Sequence, residues 1–229
     1  MTSRLVPLEN NPEVLNKWAN AAGLVETQFQ FCEVYGLDPE AVVLLYPGNI
    51  DAIAHKSKLE DENISVNGQY PIHPSVTWVK QTISNACGTM AVLHSLCNSG
   101  VPLIPQSLLE KFIQDCKGKT PLECSKILEE THRFTEIHKE LAVDGQSRVP
   151  ADLNVEFHFT SFVQAPDVNA QPGETKLRMV ELNGARNCAI DRGESNDLLA
   201  DVAEYVKTAQ IAHVSSIHFS MMALAPVEQ

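Results

Sequence analysis

The stretch Gln81-Thr82-Ile83-Ser84-Asn85-Ala86-Cys87-Gly88-Thr89 constrains this chain more than any other. It sets a cysteine at the start of a predicted helix, with a glutamine shortly upstream. The run that follows, Met90-Ala91-Val92-Leu93-His94-Ser95-Leu96-Cys97, is apolar nearly all round, so the helix must be buried, with the other elements built around it. A thiol attacks only as its thiolate, and the unpaired N–H groups and positive dipole end of a helix N-terminus lower its pKa. The Gln81 amide and the Cys87 backbone N–H then both suit a developing oxyanion. A lone cysteine before a core helix is ordinarily structural, so the chemistry needs partners elsewhere in the chain.

Val155-Glu156-Phe157-His158-Phe159-Thr160-Ser161-Phe162-Val163 alternates as a strand, with Val155, Phe157 and Phe159 on one face and His158 on the other. Histidine in such a place is usually a satisfied structural residue. Lys176 to Leu182 reads as a further strand, ending at the turn signal Asn183-Gly184. If these two strands pair, position 183 comes beside the imidazole of His158, and the Asn183 side-chain oxygen is expected to accept its Nδ1–H. Nucleophile, base and orienter in this arrangement follow the logic of papain-like thiol hydrolases.

Further stretches narrow the reading: Pro7-Leu8-Glu9-Asn10-Asn11-Pro12-Glu13-Val14, then Phe31-Cys32-Glu33-Val34-Tyr35-Gly36-Leu37-Asp38-Pro39-Glu40. Glu181-Leu182-Asn183-Gly184, with Ile190 and Gly193 beyond it, and Phe219-Ser220-Met221-Met222-Ala223-Leu224 complete the set. With Gln81–Thr89 and Val155–Val163, these stretches resemble the ubiquitin carboxyl-terminal hydrolase family, small thiol proteases that cleave after the C-terminal glycine of ubiquitin. The resemblance runs from Leu5 to Pro226. It implies Gln81 as oxyanion donor, Cys87 as nucleophile, His158 as general base and Asn183 in the fourth catalytic position, where the family ordinarily has aspartate. A second departure follows Glu40, where a short Leu/Val/Pro-bearing stretch of the family is missing and the chain passes directly into Ala41–Pro47. The family also receives the basic tail of ubiquitin on acidic side chains, and Glu9, Glu13 and Glu33 occupy the matching places. Read from the residues alone, the three are ordinary solvated carboxylates. The implied fold is α+β and papain-like, a single domain over 1–229 with a central, mostly antiparallel sheet flanked by helices. The connection Ala142–Asp152 is implied to cross over the active-site cleft and to favour small or unfolded leaving groups. The implied chemistry is acyl transfer through a Cys87 thioester, with no cofactor and no metal. Two other readings stand beside it: a ubiquitin-binding protein with little turnover, and a thiol hydrolase for another ubiquitin-like modifier.

Composition fits that class. At 229 residues and 44% hydrophobic, the chain can bury one substantial core. The net charge of -12 argues against a nucleic-acid surface, which needs clustered Lys and Arg. No stretch resembles a signal peptide, and no apolar run approaches the roughly 20 residues that cross a bilayer, so a cytoplasmic protein is expected; a monomer is expected as well. Six cysteines without a CxxC pair form neither a disulfide framework nor a zinc ribbon, and are expected to be reduced. His213 and His218 have no carboxylate or cysteine nearby to complete a metal set. Asn11 can cap a helix that has Pro12 at its first position and Gly23 past its end. Further helices are expected at Cys87–Cys97, Gln106–Cys116, Pro121–Leu141 and Ser195–Ala209. Strands are expected at Ala41–Tyr46, Val155–Val163, Lys176–Leu182 and His218–Leu224, with a short one near Ile211–Val214. Asp51–Tyr70 is charged and aperiodic, and reads as a surface excursion.

Overall fold

The computed structural model describes residues 4–34, 39–48, 50–149, 152–153, 156–213 and 218–227. Six strands form one sheet: β1 Phe29–Glu33, β2 Ala41–Pro47, β3 Phe157–Pro166, β4 Leu177–Leu182, β5 Ile190–Glu194 and β6 Ser220–Pro226. Their order is β1-β6-β2-β3-β4-β5, and every neighbouring pair is antiparallel. β2 lies inside the sheet and is covered on both faces, which is why Ala41–Pro47 reads as an unbroken apolar run. It follows Glu40 directly and pairs with β3 and β6 along its length. Residues 35–38 of the motif before it lie outside the described residues.

Seven α-helices flank the sheet among the described residues. α1 (Pro12–Ala22) forms as its caps dictate: Asn11 Oδ1 accepts the Glu13 N–H at 2.8 Å, and Gly23, at φ 121°, returns its own N–H to Ala19 O. A Cβ at Gly23 would also collide with the Ser107 side chain, so both dihedral and space require glycine there. α3 (Cys87–Asn98) is buried from Cys87 through Leu96, as its apolar sequence demands. It packs with α1, α4 (Leu108–Cys116), α5 (Pro121–Glu130) and α6 (His132–Leu141) in the larger core, where Trp18 stacks on Phe134 with ring centroids 5.9 Å apart. On the other face, Val42, Leu44 and Phe162 meet Leu198 and Val202 of α7 (Leu198–Tyr205). No helix among the described residues is long and apolar enough to cross a membrane.

The structure corrects several element expectations. The helix expected over Pro121–Leu141 is two, because Thr131 sits at ψ 77° with its Oγ1 bonded back to Ile127 O, ending α5 before α6 begins. α7 starts only at Leu198, where Asp197 accepts the Ala200 N–H as a cap, and it continues into a π-helical segment, Val206–Gln210. Ile211–His213 is a 3-10 turn and not a strand, while Val214 lies outside the described residues, as does Val155 at the start of the expected His158 strand. β1 and β5 were not foreseen; both are short strands at the sheet edges. Asp51–Asn67, expected to be an excursion, is the helix α2, none of whose residues is fully buried.

One buried polar residue ties the helix of Cys87 to the two segments that approach it. His94, fully buried, accepts the Val79 N–H at its Nε2 (3.0 Å), so its Nδ1 carries the proton and donates to Leu182 O (3.2 Å). Burial lowers its pKa to about 4. A histidine depressed in the folded state stabilises fully above its unfolded pKa and loses that contribution as pH falls toward the folded value. The unfolding free energy is therefore expected to fall by up to about 3 kcal/mol between roughly pH 6.5 and pH 4, with His138, also lowered by burial, acting in the same sense. Urea titrations across that window check this; in His94→Gln, whose amide oxygen accepts the same N–H without titrating, the pH slope should flatten.

Candidate active site

Three chain segments meet at Cys87. The N-terminus of α3 has no side-chain cap, and Asn85 just before it sits at φ 63°, so the first N–H groups of the helix are not taken by a capping side chain. Cys87 stands there only 5% exposed. Burial works to raise its thiol, yet the hydrogen bond and positive charge of His158, with backbone N–H groups of Phe159 and Gly88, outweigh it and hold the thiol below its usual range. Burial raises Cys97, Cys116 and Cys188 instead, so Cys87 is set apart from these other free thiols.

His158 lies in β3, directly opposite Tyr46 of β2. Burial works to lower its imidazole, but the hydrogen bond and negative charge of Cys87 prevail, with contributions from Asn183 and Glu181, and carry it above the ordinary histidine value. Both shifts act in the sense that favours a thiolate beside an imidazolium. The pairing of Ser161 with Leu182 brings the end of β4 alongside β3, and Asn183, one residue on, meets the imidazole as expected. The nitrogen involved differs from the expectation: Nε2, not Nδ1, lies 2.9 Å from Asn183 Oδ1, which leaves Nδ1 for the sulfur. The backbone N–H of Ala185 also donates to that oxygen (2.9 Å), and since a backbone N–H can only donate, the atom facing His158 is an acceptor and Nε2 carries a proton. The amide nitrogen of Asn183 donates to the Tyr46 hydroxyl at 3.1 Å.

Gln81 is fixed from the same loop. Its backbone N–H donates to Gly184 O (2.9 Å), Trp78 Nε1 donates to Asn183 O (3.1 Å), and a Cβ at Gly184 would press against the Gln81 backbone and Cβ. Glycine at 184 is thus required by close approach, apart from its value as a turn residue. Gln81 Nε2 donates to Ile83 O (2.9 Å), and its second N–H remains for another acceptor.

Cys87 sits where two clefts join. One, polar and about 960 Å³, is lined by Gln81, His158, Asn183 and Arg186 and walled by Ser57, Lys58 and Asp61 of α2. The helix is fastened by charge: Glu60 and Asp61 hold Arg186 at 2.7 and 2.8 Å, and Glu60 shares Arg192 with the buried Glu181 (2.5 and 2.6 Å). The other cleft, about 410 Å³, is more apolar and runs between Pro7-Leu8-Glu9 and the Ala142–Asp152 connection. That connection passes over Glu9, whose carboxylate accepts the Ser147 N–H at 2.8 Å, and Lys17 holds Asp144 at 2.7 Å. Beyond it, Leu153 O accepts from Arg4 and Asn85. Residues 150 and 151 of the connection lie outside the described residues.

Of the expected site residues, Gln81, Cys87, His158 and Asn183 converge on one cleft and Glu9 lines the second. Glu13 and Glu33 line neither: Glu13 is exposed and paired with Lys17, and Glu33 is exposed at the end of β1. Tyr46 and Glu181 were missed. A tyrosine in an apolar strand looks like core, and only the strand register brings it to the histidine. Among the described residues, no cluster of His, Cys, Asp or Glu could hold a metal ion.

With Cys87 lowered and His158 raised, thiolate formation is expected to begin below the usual thiol range and the imidazolium to persist above the usual histidine value. Alkylation of Cys87 by iodoacetamide, followed against pH by mass spectrometry, should show the acid limb below the ordinary thiol value of about 8.5. Asn183→Asp sets a negative charge on Nε2–H and should move the alkaline limb up by about one pH unit. An unchanged limb would mean that the side chain at 183 does not act on the imidazole.

Residues 5–211 match the family described as ubiquitin carboxyl-terminal hydrolase, family 1. A ubiquitin carboxyl-terminal hydrolase of Aplysia californica is 32% identical over 219 residues, covering 89% of this chain and 94% of that protein. The human ubiquitin carboxyl-terminal hydrolase isozyme L1 is 30% identical over 235 residues, covering 96% and 98%. The fold is also that of the catalytic domain of Trichinella spiralis UCH37 in its complex with ubiquitin vinyl methyl ester, with a TM-score of 0.69 and 18% identity over 98% of this chain and 97% of that one.

Proposed function

The chain belongs to ubiquitin carboxyl-terminal hydrolase family 1, and from that premise we propose how its residues divide the work of a cysteine-type deubiquitinating hydrolase. Cys87 thiolate attacks the carbonyl carbon of the C-terminal glycine of ubiquitin. The oxyanion that forms is received by the free amide N–H of Gln81 and the backbone N–H of Cys87. His158 gives its Nδ1 proton to the leaving amine or thiol, the bond to the leaving group breaks, and a thioester remains. The now neutral imidazole takes a proton from water, hydroxide adds to the thioester, and ubiquitin leaves with a carboxylate while the thiolate–imidazolium pair re-forms. Asn183 keeps the ring turned throughout. The single observation that carries this assignment is the convergence of Gln81, a buried Cys87 at a helix N-terminus, His158 and Asn183 on one cleft where it joins a second. A chain that only held ubiquitin would gain nothing from keeping a thiolate out of water.

Two clefts suit two halves of a substrate. The basic tail of ubiquitin is assigned to the groove beside Glu9, under the Ala142–Asp152 connection, and the leaving group to the polar cleft walled by α2. With the connection tied to Glu9 and Lys17, that passage suits small or unfolded leaving groups. Glu13 and Glu33, outside both clefts, act on the approaching tail through charge. The chain works as a single domain and in the cytoplasm.

Cys87→Ala should abolish hydrolysis of a fluorogenic ubiquitin C-terminal amide and labelling by an electrophilic ubiquitin probe, while ubiquitin affinity stays within about 3-fold, since one sulfur adds little to a wide interface. Residual hydrolysis in that variant would mean another residue is the nucleophile. For the steering charges, Glu33→Lys should raise KM for ubiquitin substrates at low salt and converge with wild type at about 1 M salt, where the Debye length is about 3 Å. A KM unchanged at low salt would remove Glu33 from the substrate path.

A further inference from the structure

We propose that Tyr46 is a positioning residue of this site: its hydroxyl, together with the Ala185 N–H, holds the Asn183 amide in the orientation that lets an uncharged side chain serve as the partner of His158. The inference rests on reading Cys87 and His158 as the hydrolytic pair. An aspartate in this position has two equivalent oxygens and presents an acceptor whichever way it turns. An asparagine has unlike ends, and only one suits the histidine. Turned over, its Nδ2 would donate to His158 Nε2, drive the ring proton to Nδ1 in the neutral form and leave no nitrogen free to take the thiol proton.

One contact opposes that inversion, and a second holds the plane of the amide. Ala185 N–H holds Oδ1 from one side (2.9 Å), and the Tyr46 hydroxyl oxygen accepts from Nδ2 on the other (3.1 Å). Tyr46 is placed for this by register, since it faces His158 across the β2–β3 pair, and its ring meets the imidazole edge-on with centroids 5.6 Å apart at 77°. One side chain therefore fixes the tilt of the base and the plane of its orienter, while the Ala185 N–H, which can only donate, fixes the orienter's polarity. The residue is 6% exposed, and burial raises its phenol far above neutral pH, so the hydroxyl stays protonated and gains no charge that could stand in for the missing carboxylate. Its contribution is geometric.

A double-mutant cycle tests this, using Tyr46→Phe, Asn183→Asp and the pair, with two readouts: steady-state hydrolysis of a fluorogenic ubiquitin amide, and the pH profile of Cys87 alkylation by iodoacetamide. In the natural background, Tyr46→Phe should lower kcat and the alkylation rate by about 10-fold, the worth of one hydrogen bond, with KM within about 2-fold and the alkaline limb moved to lower pH. With aspartate at 183 the same change should cost no more than about 3-fold. Equal costs in the two backgrounds, or a loss confined to KM, would overturn the proposal, because packing alone would then explain the tyrosine. Should Tyr46→Phe unfold, the ring nitrogen shifts of His158 in the natural chain decide: a neutral form protonated at Nε2 is expected, and one protonated at Nδ1 refutes the proposal. Alkylation requires no ubiquitin, so absent turnover would defeat the hydrolase reading while these ratios still decide the role of Tyr46.

Discussion

A thiolate and an imidazolium drawn out of water persist only as each other's counter-charge. Left alone, either would revert to its neutral form, because the cost of burying an unpaired ion exceeds what a protein of ordinary stability can absorb. Cys87 and His158 meet this condition with backbone N–H groups on the sulfur and an amide oxygen on the ring. Everything around them serves to hold that distance. α3 brings the sulfur, β3 the ring, and the turn after β4 the amide, and these come from residues far apart in the chain that no local propensity could join.

What joins them is a set of buried polar ties. His94 reaches from α3 to the backbone at Val79 and at Leu182, so the helix of Cys87 grips the segment leading to Gln81 and the strand leading to Asn183. Trp78 and Gln81 bond the 183–184 turn from the other side. The Glu181 carboxylate lies close behind, and its charge favours the imidazolium although Arg192 takes most of it. A neutral residue at 183 is therefore not the whole electrostatic environment of His158.

Much of this was legible in the sequence because the signals were local. Asn11, Pro12 and Gly23 mark α1 by their caps, the apolar run after Cys87 marks a buried helix, and the alternation around His158 marks a strand. The juxtaposition of His158 and Asn183 also followed from supposing that two strands pair. The parts that escaped depend on distant partners. α2 has no fully buried residue and shows no periodic face, since Arg186 and Arg192 hold it through Glu60 and Asp61. β1 and β5 are short edge strands, defined by the neighbours they pair with more than by their own side chains. Tyr46 looked like core because a strand shows which residues share a face, not what stands opposite. The ring nitrogen facing Asn183 was likewise beyond reach without coordinates.

The manner in which α2 is attached has an evolutionary consequence. A helix seated by apolar interdigitation can change little without disturbing its neighbours, because core packing is felt to a single methylene. α2 is seated mainly by two carboxylates on two arginines, with Ile53 against the smaller core and Lys56 Nζ donating to Ala209 O, and most of its other positions are exposed. Provided Ile53, Lys56, Glu60 and Asp61 stay, the sequence around them is free to drift, and the lining of that side of the cleft can be rewritten while Cys87, His158 and Asn183 keep their places. The wall is an exchangeable panel on a fixed frame.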